Sequence, residues 1–202
     1  MKEFFGRSYH KYFEGYTEKY VPGRNRKGMC IERKYTGEFY QQAVTDDIWR
    51  RQRVRKAGLY ILAVLLFLYA SLQKVGSNTT AYAAVSVTLC ILGLFWLSYV
   101  LIPDLMAGRK LKCREYRNRT AVLASSAVTG AFFVFASASV LIYVLTSGTE
   151  EPLRELFNAL LFGVGGAALF RLHICEKRVT FRKVENKGQG SADGYDIRYK
   201  EE

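Results

Sequence analysis

Three long stretches without a charged side chain dominate this 202-residue sequence. They cover 17 residues between Lys56 and Lys74, 29 between Lys74 and Asp104, and 30 between Arg119 and Glu150. A helix needs about 20 apolar residues, within a range of about 17 to 25, to cross the hydrocarbon core of a bilayer. Three such stretches in succession favour membrane spans over the buried helices of a soluble protein.

A fourth span is predicted from a weaker signal. Only 15 uncharged residues separate Glu155 from Arg171, but Glu151 and Pro152 are typical of a helix start. We expect Arg154 and Glu155 to lie among the outer headgroups and Arg171 to snorkel toward the inner surface. The four spans are predicted over residues 57–73, 80–102, 120–146 and 152–175.

The predicted fold is therefore an all-α membrane protein, a four-transmembrane-helix bundle. Residues 1–56 form an N-terminal segment, residues 57–175 the membrane domain and residues 176–202 a C-terminal tail. Thr45, Asp46 and Asp47 favour a helix start well before the first span, because acidic side chains stabilise a helix N-terminus. Pro103 is expected to end the second span.

The distribution of Lys and Arg predicts the orientation. Residues 1–56 hold 14 of them, residues 103–119 hold 6 and residues 173–202 hold 7, whereas the two remaining linkers hold one each, Lys74 and Arg154. Cytoplasmic loops carry the excess of positive charge. Both termini and the middle linker are thus predicted to be cytoplasmic, with the protein in the cell membrane.

The basic residues beside the first and third spans are predicted to contact the anionic lipids of the inner leaflet, each contributing on the order of 1 kcal/mol. They flank the spans instead of alternating with stacking aromatic residues, so nucleic acid is not expected as a partner. The predicted lipid contacts are Arg50, Arg51, Arg53, Arg55, Lys56, Arg109, Lys110, Lys112, Arg114, Arg117 and Arg119.

Small residues in the third and fourth spans predict where helices approach closely, because membrane helices associate through small side chains. The set is Ser126, Gly130, Ala159, Gly163 and Ala167. Packing within one chain is favoured over contact between two copies.

The N-terminal segment carries an aromatic stripe that predicts an amphipathic helix: Phe5, Tyr9, Tyr12, Tyr16 and Tyr20. We consider three roles for this helix: it lies on the inner leaflet, docks a protein partner, or packs on the protein's own cytoplasmic part. The C-terminal tail predicts a hairpin, since apolar residues alternate at 179 and 181 and again at 195, 197 and 199. Residues 29–40 are expected to add a strand to this hairpin.

No catalytic motif, metal-ligand spacing or cofactor-binding pattern is present in the sequence. His10 and His173 are the only histidines, and the central part of each predicted span has no Asp, Glu, Lys, Arg or His. Catalytic, cofactor and metal residues are accordingly not predicted. We expect a non-enzymatic membrane subunit or interaction protein with cytoplasmic docking elements, whose partner is another protein or further copies of the chain. The alternatives are an oligomeric pore or transport component and a membrane-embedded, lipid-acting enzyme.

Overall fold

The structure, a computed structural model, describes residues 16–22, 29–147, 149–184 and 199–200. The chain forms two compact units. The helical unit comprises Ala43–Ala107 and Asn118–Thr180, and the sheet unit comprises Met1–Gln42, Gly108–Arg117 and Phe181–Glu202. The predicted division of the chain differs from this, because residues 108–117 of the expected membrane domain belong to the sheet unit.

Four long helices are present in the described part of the chain. They are α1 (Asp46–Leu72), α2 (Ala81–Met106), α3 (Cys113–Ser147) and α4 (Pro152–Lys177). Each is long and apolar enough to cross a membrane, which confirms the prediction of four such segments. A short 3-10 helix, Gly76–Thr79, lies between α1 and α2.

The helix ends follow local sequence signals with one exception. Asp46 and Asp47 lie in the first turn of α1, and the side chain of Thr80 accepts a hydrogen bond from Ala83 N at the start of α2. Pro103, where the second span is predicted to end, lies inside α2, which continues to Met106. Proline near a helix C-terminus removes only one hydrogen-bond donor, so the last turn still forms.

The core of the helical unit is built around three aromatic rings. The ring of Phe67 on α1 lies 5.9 Å from that of Phe133 on α3 and 6.3 Å from that of Phe162 on α4. A Cβ at Gly165 would lie 2.6 Å from Cε1 of Phe133, so only glycine allows α4 this close to the ring. The contact between α3 and α4 therefore depends on small residues.

Only some of the predicted packing residues are buried. Ser126, Gly130 and Ala159 are buried, Gly163 is half-buried and Ala167 is exposed. A strict four-residue spacing rotates away from a fixed face, because an α-helix has 3.6 residues per turn. The buried face of α4 instead contains Ala159, Phe162, Gly165, Gly166 and Leu169.

Among the described residues of the sheet unit, six strands form two three-stranded antiparallel sheets. They are β1 (Tyr16–Pro22), β2 (Met29–Tyr35), β3 (Phe39–Gln42), β4 (Lys110–Lys112), β5 (Phe181–Val184) and β6 (Tyr199–Lys200). The first sheet has the order β1-β2-β6 and the second the order β4-β3-β5. In the second sheet, Tyr40 pairs with Leu111 on one side and with Lys183 on the other.

The strands correct one prediction and confirm another. Tyr16 and Tyr20 belong to β1, not to an amphipathic helix; residues four apart share a face in both a helix and a strand, so their spacing does not separate the two. Phe5, Tyr9 and Tyr12 lie outside the described residues. Residues 195 and 197 of the expected C-terminal hairpin also lie outside the described residues. The expected pairing of residues 29–40 with the C-terminal tail is confirmed, since β5 pairs with β3 and β6 with β2.

Aromatic side chains hold the sheet unit together. The buried ring of Tyr35 lies 5.1 Å from that of Tyr16 and 5.0 Å from that of Phe39. Its hydroxyl donates a hydrogen bond to the carbonyl of Glu38 at 2.8 Å and accepts one from Cys113 N at 3.1 Å. Burial raises the pKa of this hydroxyl, because the charged phenolate would lose its hydration.

Candidate functional site

Each of the four helices contributes one charged side chain to a buried network in the helical unit. Nζ of Lys56 on α1 lies 3.0 Å from Oδ2 of Asp104 on α2 and also forms an ion pair with Glu176 on α4. Nη2 of Arg119 on α3 lies 2.7 Å from Oε2 of Glu176. The four side chains are between 1% and 8% exposed. The network therefore links all four helices.

The positions of these residues in the chain explain why they meet. Lys56 and Arg119 are the last cations before the uncharged parts of α1 and α3, whereas Asp104 and Glu176 lie in the last turns of α2 and α4. Position 56 in α1 and position 119 in α3 lie beside the ends of α2 and α4. The two cations thus face two carboxylates at one end of the helical unit.

The network is electrically balanced. Its two positive and two negative side chains leave no net charge, and each cation has a carboxylate partner. Removing one partner of a buried ion pair leaves an uncompensated charge, which costs about 3–5 kcal/mol. This balance suits a structural connection between helices.

Two of the residues predicted to contact lipid are members of this network. Lys56 and Arg119 are 5% and 7% exposed, so the structure corrects their predicted role. The sequence contained a signal for the pairing, since Asp104 and Glu176 are the first carboxylates after the second and fourth uncharged runs. Of the other predicted lipid contacts, Arg50, Arg51, Arg55, Lys110, Arg114 and Arg117 are exposed, and Arg53, Arg109 and Lys112 are half-buried.

A second polar cluster lies where the α1–α2 connection meets the start of α4. Oε1 of Glu155 accepts a hydrogen bond from Ser77 N at 3.0 Å, and Oε2 accepts one from Ser77 Oγ at 2.5 Å. Glu155 is 3% exposed and Ser77 is fully buried. The carboxylate of Glu155 therefore binds the N-terminus of the 3-10 helix, and its expected depth among the outer headgroups stays a prediction.

Asparagine side chains extend this cluster. Nδ2 of Asn78 donates to the carbonyls of Ala70 and Gln73, at 3.0 Å in both cases. Its Oδ1 accepts a hydrogen bond from Nδ2 of Asn158 at 3.2 Å. Asn158 is fully buried on α4, three residues after Glu155. The cluster thus fixes the connection between α1 and α2 to the first two turns of α4.

Gly76 allows the close approach of these groups. A Cβ at this position would collide with the hydroxyl of Tyr143 and lie 3.4 Å from Oε1 of Glu155. The tyrosine hydroxyl and the carboxylate therefore border the same small space above the glycine.

His173, Cys90, Cys113 and Cys175, whose side chains the structure describes, take no part in either cluster. Nδ1 of His173 donates a hydrogen bond to the carbonyl of Leu123 at 2.9 Å, which ties α4 to α3. Cys90, Cys113 and Cys175 are free thiols. Within the described ranges, no three His, Cys, Asp or Glu side chains are grouped as metal ligands.

No protein-family model, curated protein or solved structure matches this chain.

Proposed function

We propose that this chain is a multi-pass subunit or interaction protein of the cytoplasmic membrane, with a docking unit formed by its cytoplasmic segments. The observation that carries this proposal is the pairing in the second sheet. Strand β3 precedes α1, β4 lies between α2 and α3, and β5 follows α4, yet the three strands pair with one another. Segments that pair in this way share one side of a membrane, as four crossings require.

The charge distribution supports the cytoplasm as that side. The three segments carry most of the Lys and Arg residues, and positive charge accumulates in cytoplasmic loops. The predicted lipid contacts without Lys56 and Arg119 are proposed to bind anionic headgroups of the inner leaflet. Arg53 lies 4.6 Å above the ring of Trp49, an arrangement suited to the membrane interface.

The buried network supports a structural rather than a chemical role for the helices. Its charges neutralise one another, so none of its four members has spare charge for a substrate or a coupling ion. Transporters coupled to ions usually need ionisable groups that bind and release charge within the membrane. The network instead holds the four helices in register.

Strand β5 is proposed as part of the docking surface. It is an edge strand of the second sheet, and its side chains Arg182 and Lys183 are exposed. Lys183 forms an exposed ion pair with Glu38, at 2.5 Å between Nζ and Oε2. An edge strand offers unpaired backbone groups to a partner, and Arg182 adds positive charge beside them.

Gentle detergent extraction followed by mass spectrometry tests the proposal. We expect a stoichiometric protein partner that is lost on Arg182→Glu. Lys74→Glu reverses one exposed cation in the linker predicted to lie on the other side of the membrane, and should keep the partner. Recovery of the wild-type chain without any partner, or solute flux through vesicles that contain only this protein, would contradict the proposal and favour a pore.

A further inference from the structure

The carboxylate of Glu155 has no cationic partner among the side chains that the structure describes. The cations nearest to it in sequence are directed elsewhere: Nη1 of Arg154 pairs with Glu151 at 2.6 Å, and Lys74 is exposed. The contrast with the balanced network is clear, since Glu176 there pairs with two cations. A buried carboxylate without a counter-charge is costly in a protein interior.

Glu155 also keeps unused acceptor capacity. A carboxylate has about four acceptor sites on its two oxygens. The described hydrogen bonds to it come from Ser77 alone, one to each oxygen. Each oxygen can therefore bind a further positive group.

Asn158 supplies a second, independent acceptor. The two carbonyls that accept from Nδ2 of Asn78 fix the orientation of that amide, so its Oδ1 must accept from Nδ2 of Asn158. Oδ1 of Asn158 then points away from Asn78, and it is buried without a hydrogen-bond donor in the described part of the chain. Asn158 follows Glu155 by three residues, so both side chains lie on one face of α4.

We propose that Glu155 and Asn158 bind a small monovalent cation of the Na⁺ type at the junction of α4 with the α1–α2 connection. Carboxylate and amide oxygens suit hard cations. One carboxylate balances a single positive charge, whereas a divalent ion usually recruits several. The hydroxyl of Tyr143, which borders the same space as Oε1 of Glu155, is a further oxygen within the cluster.

The bound cation compensates Glu155 and so stabilises the attachment of the 3-10 helix to α4. Binding to the folded state alone raises thermal stability by mass action. At ten times Kd, we expect the apparent Tm of the whole protein in lipid nanodiscs to rise by about 3–6 °C. The comparison uses NaCl against choline chloride at equal ionic strength, and a parallel series with KCl separates the two alkali cations.

Glu155→Gln is expected to abolish the difference between NaCl and choline chloride. Glu151→Gln removes a neighbouring exposed carboxylate and should keep the difference. Binding of ²²Na⁺ to the wild-type protein, displaced by unlabelled Na⁺ but not by choline, tests the site without any variant. Asn158→Leu should weaken this binding at least tenfold while leaving the carboxylate in place.

Three results would overturn the site. They are an apparent Tm that is equal in choline, Na⁺ and K⁺ salts, a cation effect that survives Glu155→Gln, and a response to pH without any response to alkali cations. The last result would show that the carboxylate of Glu155 binds a proton instead of an alkali cation. If Glu155→Gln does not fold, the binding of ²²Na⁺ to the wild-type protein tests the site instead.

Discussion

Glu176 on α4 and Arg119 on α3 form a buried ion pair, with 2.7 Å between Oε2 and Nη2. Lys56 and Asp104 complete the network, so the loss of either member of this pair leaves one uncompensated charge. We expect Arg119→Met and Glu176→Leu each to lower the free energy of unfolding by about 3–5 kcal/mol. Thermal unfolding in nanodiscs measures the effect.

The double variant Arg119→Met/Glu176→Leu provides the control. It retains Lys56 and Asp104, which neutralise each other at 3.0 Å. We therefore expect it to be more stable than either single variant, because apolar replacement of a buried ion pair is often neutral. Additive losses from the two substitutions would contradict the network, since contacting residues couple in a double-mutant cycle.

Gly165 tests the close contact between α3 and α4. In Gly165→Ala the new methyl group meets the fully buried ring of Phe133 at 2.6 Å. We expect a loss of about 1–3 kcal/mol from overpacking. Gly58→Ala is the matched control, because nothing lies within 4 Å of a Cβ there and alanine favours the helix by about 1 kcal/mol. Equal effects of the two substitutions would exclude the predicted steric cause.

The sheet unit should lose stability at alkaline pH because of Tyr35. Burial raises the pKa of its hydroxyl above the ordinary value of about 10. A group with a raised folded-state pKa stabilises fully below its unfolded value, and this contribution is lost as the pH rises through the folded value. The stability difference between wild type and Tyr35→Phe should accordingly shrink above pH of about 10.

Hydrogen exchange of the strand amides at pH 8 to 11 measures this difference. The exposed ion pair between Lys183 and Glu38 raises the pKa of Lys183 and acts in the same direction, so the comparison is made in a Lys183→Met background. A stability difference that is constant over this range would contradict a raised pKa, because it would mean that Tyr35 has the same pKa in the folded and unfolded states.

Cysteine accessibility tests the proposed orientation. In a background without the natural cysteines, Thr79→Cys lies in the short α1–α2 connection and Arg182→Cys in β5, both at exposed positions. An impermeant maleimide added to sealed cells should label the first variant and reach the second only after permeabilisation. The reverse pattern would place the sheet unit outside the cell and contradict the positive-inside argument.

The four helices were predictable because hydrophobic length is a local property of the sequence. The contacts made by these helices were less predictable, as Lys56 shows. Its position beside four other cations suggested lipid contact, and only the distant Asp104 and Glu176 reveal its pairing. The partner of Glu155 was not predicted for the same reason, since Ser77 precedes it by 78 residues. Local signals identify a helix but do not identify the groups that it meets.

The strands show a similar limit. Phe39–Gln42 is too short to be identified alone, and its partners come from segments separated from it by one pair or two pairs of helices. Tyr16 and Tyr20 are four residues apart, and this spacing fits a helix as well as a strand. Pairing with Tyr35 and neighbouring residues of β2 decided between the two.

The distribution of one network charge on each helix affects how the protein is made. When α1, α2 and α3 have left the ribosome, Lys56 already has Asp104 as a partner, whereas Glu176, which pairs with both cations, has not yet been made. A chain that terminates within α4 therefore lacks the carboxylate that links α4 to α1 and α3. Such truncated products should be recognised and degraded by membrane quality control, whereas finished chains escape it.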